Sequence, residues 1–150
     1  MIIAIETSST NFSLTLLNEQ QVIKNISVPF KNELSEIIVP TIRKFLKDNS
    51  ISFDNVSFLA VGCGPGSFTG IRTLISAALG VKISNNHIES IGINSLAGLT
   101  MSVLDEAKKL NLNYVISSID SKRDDAFLQI FKVNHNKYGE LPFNTFNEIN

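Results

Sequence analysis

Short apolar runs at the start of the chain predict three β-strands. The runs Ile2–Ile5, Phe12–Leu17 and Gln21–Val28 are rich in Ile, Val, Leu and Phe, and short polar segments separate them. Residues of these types favour extended backbone, and short turns between the runs favour antiparallel neighbours. The first 28 residues therefore predict a three-stranded antiparallel meander.

The rest of the chain alternates between helical and extended patterns up to about residue 133. The predicted elements, in chain order, are a helix at about 32–48, a strand in 53–62, a helix at about 67–84, a strand in 88–93, a helix that starts at Asn94 or Ser95, and strands in 113–119 and 126–133.

This order of elements predicts an RNase H-like α/β fold, in which helices flank a mixed sheet. Residues 1–112 are expected to form a complete N-terminal lobe. Residues 113–150 are expected to open a second lobe that is shortened.

Composition narrows the classes of function. The net charge is −1, and the Lys and Arg residues are scattered rather than grouped in a stripe, so direct tight binding of nucleic acid by this chain is not expected. No apolar run approaches the roughly 20 residues of a membrane-spanning helix, and the first ten residues do not resemble a secretory signal. One cysteine, Cys63, cannot form an internal disulfide, which fits a cytoplasmic protein.

The glycine-rich stretch GCGPGSFTGIR, residues 62–72, predicts a turn that launches a helix. A P-loop needs a lysine after its last glycine, and no lysine lies between Gly62 and Gly80. The spacing of the glycines also differs from the dinucleotide-binding fingerprint. The stretch therefore favours a sharp strand-to-helix reversal with Ser67 or Thr69 as the helix cap, and anion binding at the helix N-terminus stays open as the alternative.

Two of the predicted helices carry more packing surface than one sheet can use. On a helical wheel, the helix at 67–84 has small residues along one arc and bulky residues around the rest. In the helix at 32–48, apolar residues span about 200° of the wheel, whereas a helix with one buried side needs about 100°. Small residues allow another helix to approach closely. We therefore expect an interface formed by helix pairing, at Leu34, Ile38, Thr41, Ile42, Phe45, Thr69, Gly70, Thr73, Ala77 and Gly80. The alternative is that the two helices satisfy each other within the monomer.

Several segments together resemble the TsaB family, also called YeaZ, of the actin and sugar-kinase superfamily. They are the opening IETSS–TNFSLTLL, the loop GPGSFTGIR, the stretch IGINSLAGL and the late IDSKRDDAFLQIF. The resemblance implies a non-catalytic subunit that pairs with a TsaD-like enzyme to make threonylcarbamoyladenosine at position 37 of transfer RNA. It further implies that the first two helices contact that enzyme or a second copy of the same protein, and that a TsaE-like ATPase is another partner. The tRNA would be reached only through the complex. No cofactor of its own is expected, with ATP bound only at a complex with partners.

The competing interpretation is a small nucleotide-binding protein or kinase-like enzyme of the same superfamily. Its candidate contacts are Glu6, Thr7, Ser8, Ser9 and Asp120, all of which are also typical of polar turns. Metal catalysis is not expected, because the two histidines, at 87 and 135, lie far apart in the sequence.

Overall fold

The three N-terminal strands form the predicted meander in the computed structural model, which describes residues 1–7, 11–19, 21–29 and 34–135. Strand β1 (Ile2–Glu6) pairs antiparallel with β2 (Asn11–Asn18), and β2 pairs antiparallel with β3 (Gln21–Pro29). Alternate side chains of β1 and β2 are buried, so one face of the meander contributes to a core.

Two further strands extend this sheet in parallel with β1. They are β4 (Phe58–Gly62), which pairs with β1, and β5 (Glu89–Ile93), which pairs with β4, so the strand order is β3-β2-β1-β4-β5. The predicted strand at 53–62 is too long, because residues 53–55 form one turn of 3-10 helix. The side chain of Asn55 accepts a hydrogen bond from the Ser52 backbone N–H in this turn.

Two helices connect these strands, α1 (Leu34–Asp48) before β4 and α2 (Phe68–Ser84) between β4 and β5. The start predicted for the first helix, at about residue 32, lies outside the described residues. Both helices share one core cluster with the sheet, and all its members belong to residues 1–93, which form the first of two compact units.

The second compact unit begins at Asn94. It contains α3 (Ser95–Lys109) and an antiparallel hairpin of β6 (Tyr114–Asp120) and β7 (Ala126–Lys132). Helix α3 packs on the hairpin, where Leu96 and Ala97 contact Phe131. The sequence placed the lobe boundary between residues 112 and 113, whereas in the structure α3 groups with the hairpin that follows it.

None of the helices in the described part of the chain is both long enough and apolar enough to cross a membrane.

Candidate partner-binding surface

The glycine loop fixes where α2 begins. Gly64 and Gly66 have φ angles of +87° and +154°, which residues with side chains rarely adopt, and the Ser67 hydroxyl accepts a hydrogen bond of 3.3 Å from the Gly70 backbone N–H. The predicted helix launcher is therefore confirmed, with Ser67 as its cap. A Cβ atom at Gly70 would lie 2.7 Å from the carbonyl oxygen of Thr7, so the first turn of α2 sits directly against the end of β1.

An open groove lies between α1 and α2. Two adjoining cavities of about 1040 Å³ and 580 Å³ share Val39 of α1 and Ser76 and Ala77 of α2, so they form one continuous surface. We call this surface the α1–α2 groove. Its lining residues from the two helices are Ser35, Ile38, Val39, Arg43, Leu46, Lys47, Phe68, Thr69, Arg72, Thr73, Ser76, Ala77, Gly80, Val81 and Ser84, and residues 50–53 and Asn85 complete it.

The α2 side of the groove consists mostly of small residues. Four residues that the sequence nominated for an interface lie here, namely Thr69, Thr73, Ala77 and Gly80. No atom lies within 4 Å of the position that a Cβ at Gly80 would occupy, so this turn of α2 borders open space. A second helix could therefore approach the backbone of α2 closely at this turn.

The apolar residues nominated on α1 are core residues, and among these four Ile38 alone also lines the groove. Leu34, Ile38, Ile42 and Phe45 are at most 4% exposed and belong to the core that joins α1 to the sheet. They hold the helix in place, and we do not include them in the interface proposed below. Thr41 is half-buried and does not line the groove.

Gly70 also serves packing within the first unit. It is buried beside Thr7, so it belongs with the inner side of α2 rather than with the surface of the groove.

Three cationic residues of the groove were missed by sequence reasoning. Arg43 and Lys47 line its larger cavity, and Arg72 lines the smaller one with its guanidinium 5.1 Å from the centre of the Phe68 ring. The spacing of Arg43 and Lys47, one helical turn apart and one turn beyond Val39, could have indicated that they share its face.

Glu6, a nucleotide candidate at the carboxyl end of β1, lines a cavity of about 160 Å³ together with Gly62, the last residue of β4. The Glu6 carboxylate accepts a hydrogen bond of 2.8 Å from the Thr7 backbone N–H and occupies the space where a side chain at Gly62 would lie. Thr7 is fully buried, and within the described residues its hydroxyl has no hydrogen-bond partner. Ser8 and Ser9 lie outside the described residues.

Asp120, the remaining nucleotide candidate, belongs to the second unit. Its carboxylate accepts hydrogen bonds of 2.8 Å from the ammonium of Lys122 and from the backbone N–H of the same residue, and these bonds, the ammonium's first, hold the pKa of Asp120 below its usual value. The residue is exposed and is the last residue of β6, immediately before the turn that leads to β7. Across the described ranges, no three His, Cys, Asp or Glu side chains gather as a metal ion would require.

Solved structures of other proteins share this architecture. YeaZ from Pseudomonas aeruginosa superimposes with a TM-score of 0.75 at 21% identity, over 91% of this chain and 62% of that chain. A putative N-acetylglucosamine kinase from Porphyromonas gingivalis superimposes with a TM-score of 0.51 at 12% identity, over 89% of this chain and 45% of that chain. The mixed sheet and its flanking helices thus define an RNase H-like α/β fold of the actin and sugar-kinase type, as the sequence predicted.

Comparison of sequences identifies the family within this class. Residues 28–139 match the family model described as "TsaD: tRNA N6-adenosine threonylcarbamoyltransferase", and the chain belongs to that family. A relative from Buchnera aphidicola subsp. Baizongia pistaciae, named tRNA threonylcarbamoyladenosine biosynthesis protein TsaB, is 28% identical over 71% of this chain and 48% of its own length. The resemblance to TsaB is therefore confirmed. The chain spans about half the length of the curated relatives it matches.

Proposed function

We propose that this chain is a non-catalytic subunit that binds a TsaD-like enzyme through the α1–α2 groove in the threonylcarbamoylation of adenosine 37 of tRNA. The observation that supports this most directly is the groove itself, a continuous helix-sized surface that small residues leave open on α2. The names of the relatives support a role in the biosynthesis of threonylcarbamoyladenosine in tRNA. The groove supports association with a partner protein.

The lining of the groove suits binding better than chemistry. It consists of apolar side chains, hydroxyls, the Asn85 amide and cations, and in the described part of the chain no carboxylate, histidine or thiol lines it. General acid–base catalysis needs titratable groups placed beside a reacting atom. The chain would instead act by differential binding, in which it favours the active conformation of its partner.

The other components follow from this proposal. The tRNA would contact the complex rather than this chain alone, a TsaE-like ATPase would be a further partner, and ATP would bind only where partners meet. The complex would work in the cytoplasm.

Replacing Gly80 by Arg tests the interface. The position of a Cβ at Gly80 is clear of other atoms, so the fold should be kept, while the bulk and charge of the introduced side chain would enter the space that a partner helix occupies. We expect the affinity for the TsaD-type protein of the same genome to fall at least about a hundredfold, as for a central interface residue. Calorimetry and light scattering on the mixed proteins measure this change.

Gly98→Arg is the matched control. Gly98 lies on α3, outside the groove, and a Cβ there also has no atom within 4 Å. This variant should bind the enzyme like the unmodified chain. Equal affinity of Gly80→Arg and the unmodified chain would show that the groove is not the interface.

The nucleotide-binding alternative has one observation in its favour, the buried Thr7 hydroxyl without a partner in the described residues. A cavity of about 160 Å³ lies beside the neighbouring Glu6. If this cavity bound ATP, Glu6→Ala would weaken binding of ATP to the isolated chain and leave the affinity for the enzyme unchanged. Titration of ATP into the isolated chain checks this. Because the Glu6 carboxylate already fills the space above Gly62, we expect no heat of ATP binding.

A further inference from the structure

The hairpin of β6 and β7 in the second unit has two different faces. One face packs on α3, where Val115 and Ile119 contact the two small core clusters of this unit. Ser117, on the same face, is buried, and its hydroxyl oxygen lies 2.6 Å from that of Thr100 on α3. Side chains of a strand alternate between its faces, so the residues between these positions and their partners on β7 form the opposite face. We call it the outer hairpin face, and its members are Tyr114, Ile116, Ser118, Asp120, Ala126, Leu128, Ile130 and Lys132.

Large apolar side chains occupy the centre of the outer hairpin face. The exposed fraction is 65% for Ile116, 64% for Leu128 and 55% for Tyr114. Ile116 lies directly opposite Ile130, and Leu128 directly opposite Ser118, so these side chains are cross-strand neighbours. They therefore form one contiguous apolar patch and not scattered single residues.

The meander of the first unit shows how this chain builds a polar face on antiparallel strands. On the side of β2 and β3 away from the core, the Thr15 hydroxyl donates a hydrogen bond of 3.3 Å to the Asn25 side chain, and the Ser13 hydroxyl lies 3.5 Å from that of Ser27. Antiparallel strands with one face in water usually carry polar residues on that face. The outer hairpin face departs from this pattern, and a contiguous exposed apolar patch is typical of an interaction surface.

Charged residues lie at the two ends of the outer hairpin face. Asp120 is the last residue of β6, and Lys132 lies opposite Tyr114 at the other end of the hairpin. At about 3.4 Å per residue, roughly 20 Å separate these ends. Within the described residues Lys132 forms no ion pair, and the ion-pair partner of Asp120 is the exposed Lys122. The face therefore has an apolar centre, a negative end and a positive end.

This arrangement makes the face complementary to itself. In a two-fold dimer that stacks two outer hairpin faces with their strands antiparallel, the apolar centres meet and each Asp120 lies at the same end as the Lys132 of the other copy. Stacking with the strands parallel would instead bring Lys132 to Lys132 and Asp120 to Asp120. Like charges placed together across an interface lower affinity, so the charges select the antiparallel arrangement.

We infer that the outer hairpin face binds a second copy of this chain, in a two-fold dimer whose hairpins stack face to face with antiparallel strands. The inference does not rest on the proposed function, because the residues of this face belong to the second unit and those of the α1–α2 groove to the first. Only eight side chains of each copy form the contact, so we expect a reversible dimer with a Kd on the order of 10 µM.

Ile116→Glu tests the apolar centre, with Ile23→Glu as its matched control. Both isoleucines are exposed on strands, but Ile23 lies on β3 of the first unit. We expect Ile116→Glu to weaken self-association at least about a hundredfold, because it places two carboxylates in the apolar centre of the dimer. Ile23→Glu should leave self-association unchanged. Sedimentation of the full chain from about 1 to about 500 µM measures both, in a Gly80→Arg background that blocks association through the groove.

Reversal of the two end charges tests the orientation. Asp120→Lys and Lys132→Asp each place like charges at both ends of the antiparallel dimer, so each should weaken self-association about tenfold. The double variant restores opposite charges and should associate within about threefold of the unmodified chain. This rescue cannot come from the turn, because Asp120→Lys removes the carboxylate that accepts the Lys122 backbone N–H in the single and the double variant alike.

Four results would overturn the inference. The first is a chain that stays monomeric at the highest concentration; if Ile116→Glu then lowers the stability in urea and Ile23→Glu does not, another segment of the same chain covers the face. The second is self-association that Gly80→Arg abolishes, which would assign it to the groove. The third is loss of association in Ile116→Glu without rescue in the double charge variant, which would remove the argument for a second copy. The fourth is a monomeric chain whose complex with the TsaD-type protein is weakened by Ile116→Glu, which would assign the face to that protein.

Discussion

Gly70 and Gly80 lie on the same helix, ten residues apart, and have opposite relations to their surroundings. A Cβ atom at Gly70 would overlap the carbonyl oxygen of Thr7, whereas a Cβ at Gly80 would meet nothing. The close approach of α2 to β1 therefore requires glycine at position 70. The packing of the first unit places no such requirement on position 80, where glycine lowers the helix propensity of α2.

Alanine substitutions should separate these two roles. Gly70→Ala should lower the free energy of unfolding by about 1–3 kcal/mol, because the backbone of Thr7 must move to admit the methyl group. Gly80→Ala should raise it by up to about 1 kcal/mol, because alanine is the better helix former and has free space. Urea denaturation followed by circular dichroism measures both values. A Gly80→Ala variant less stable than the unmodified chain would contradict the open position of this turn.

At the scale of single elements, α1 and α2 show what a periodic pattern can predict. The arc of small residues on α2 was visible in the sequence, and Thr69, Thr73, Ala77 and Gly80 do line one groove. The pattern on α1 showed a wide apolar surface without showing what covers it. In the structure, most of the apolar residues of α1, including Ile38, pack in the core between the helix and the sheet.

Other differences from the sequence prediction also have physical causes. Residues 53–55 have apolar neighbours typical of a strand, but side-chain hydrogen bonds of Ser52 and Asn55 favour a 3-10 turn instead. Arg43, Lys47 and Arg72 are charged and therefore do not contribute to an apolar pattern. The sequence prediction of the interface was based on apolar and small residues and did not include them. The antiparallel meander of β1 to β3, by contrast, was predicted from the sequence, because short turns between consecutive strands favour antiparallel neighbours.

At the scale of the whole molecule, the proposed interface and the fold that supports it belong to the same unit. Residues 1–93 contain the five-stranded sheet, both helices of the groove and a core cluster built from that segment alone. The relatives are about one and a half times as long as this chain, and the match to the family model, residues 28–139, includes this segment's glycine loop and helices. Binding to a partner through the groove should therefore depend on the first unit and not on the second.

A fragment of residues 1–93 provides the test. Because its sheet carries a core on the face that α1 and α2 cover, we expect it to unfold cooperatively in urea. We expect its affinity for the TsaD-type protein to lie within about threefold of that of the full chain, since the loss of contacts distant from an interface changes binding by less than about 1 kcal/mol. Gly80→Arg in the same fragment should abolish this binding. A fragment that folds cooperatively but does not bind would show that residues beyond Ile93 contribute to the interface, and it would move the search for the contact surface to α3 and the hairpin of β6 and β7.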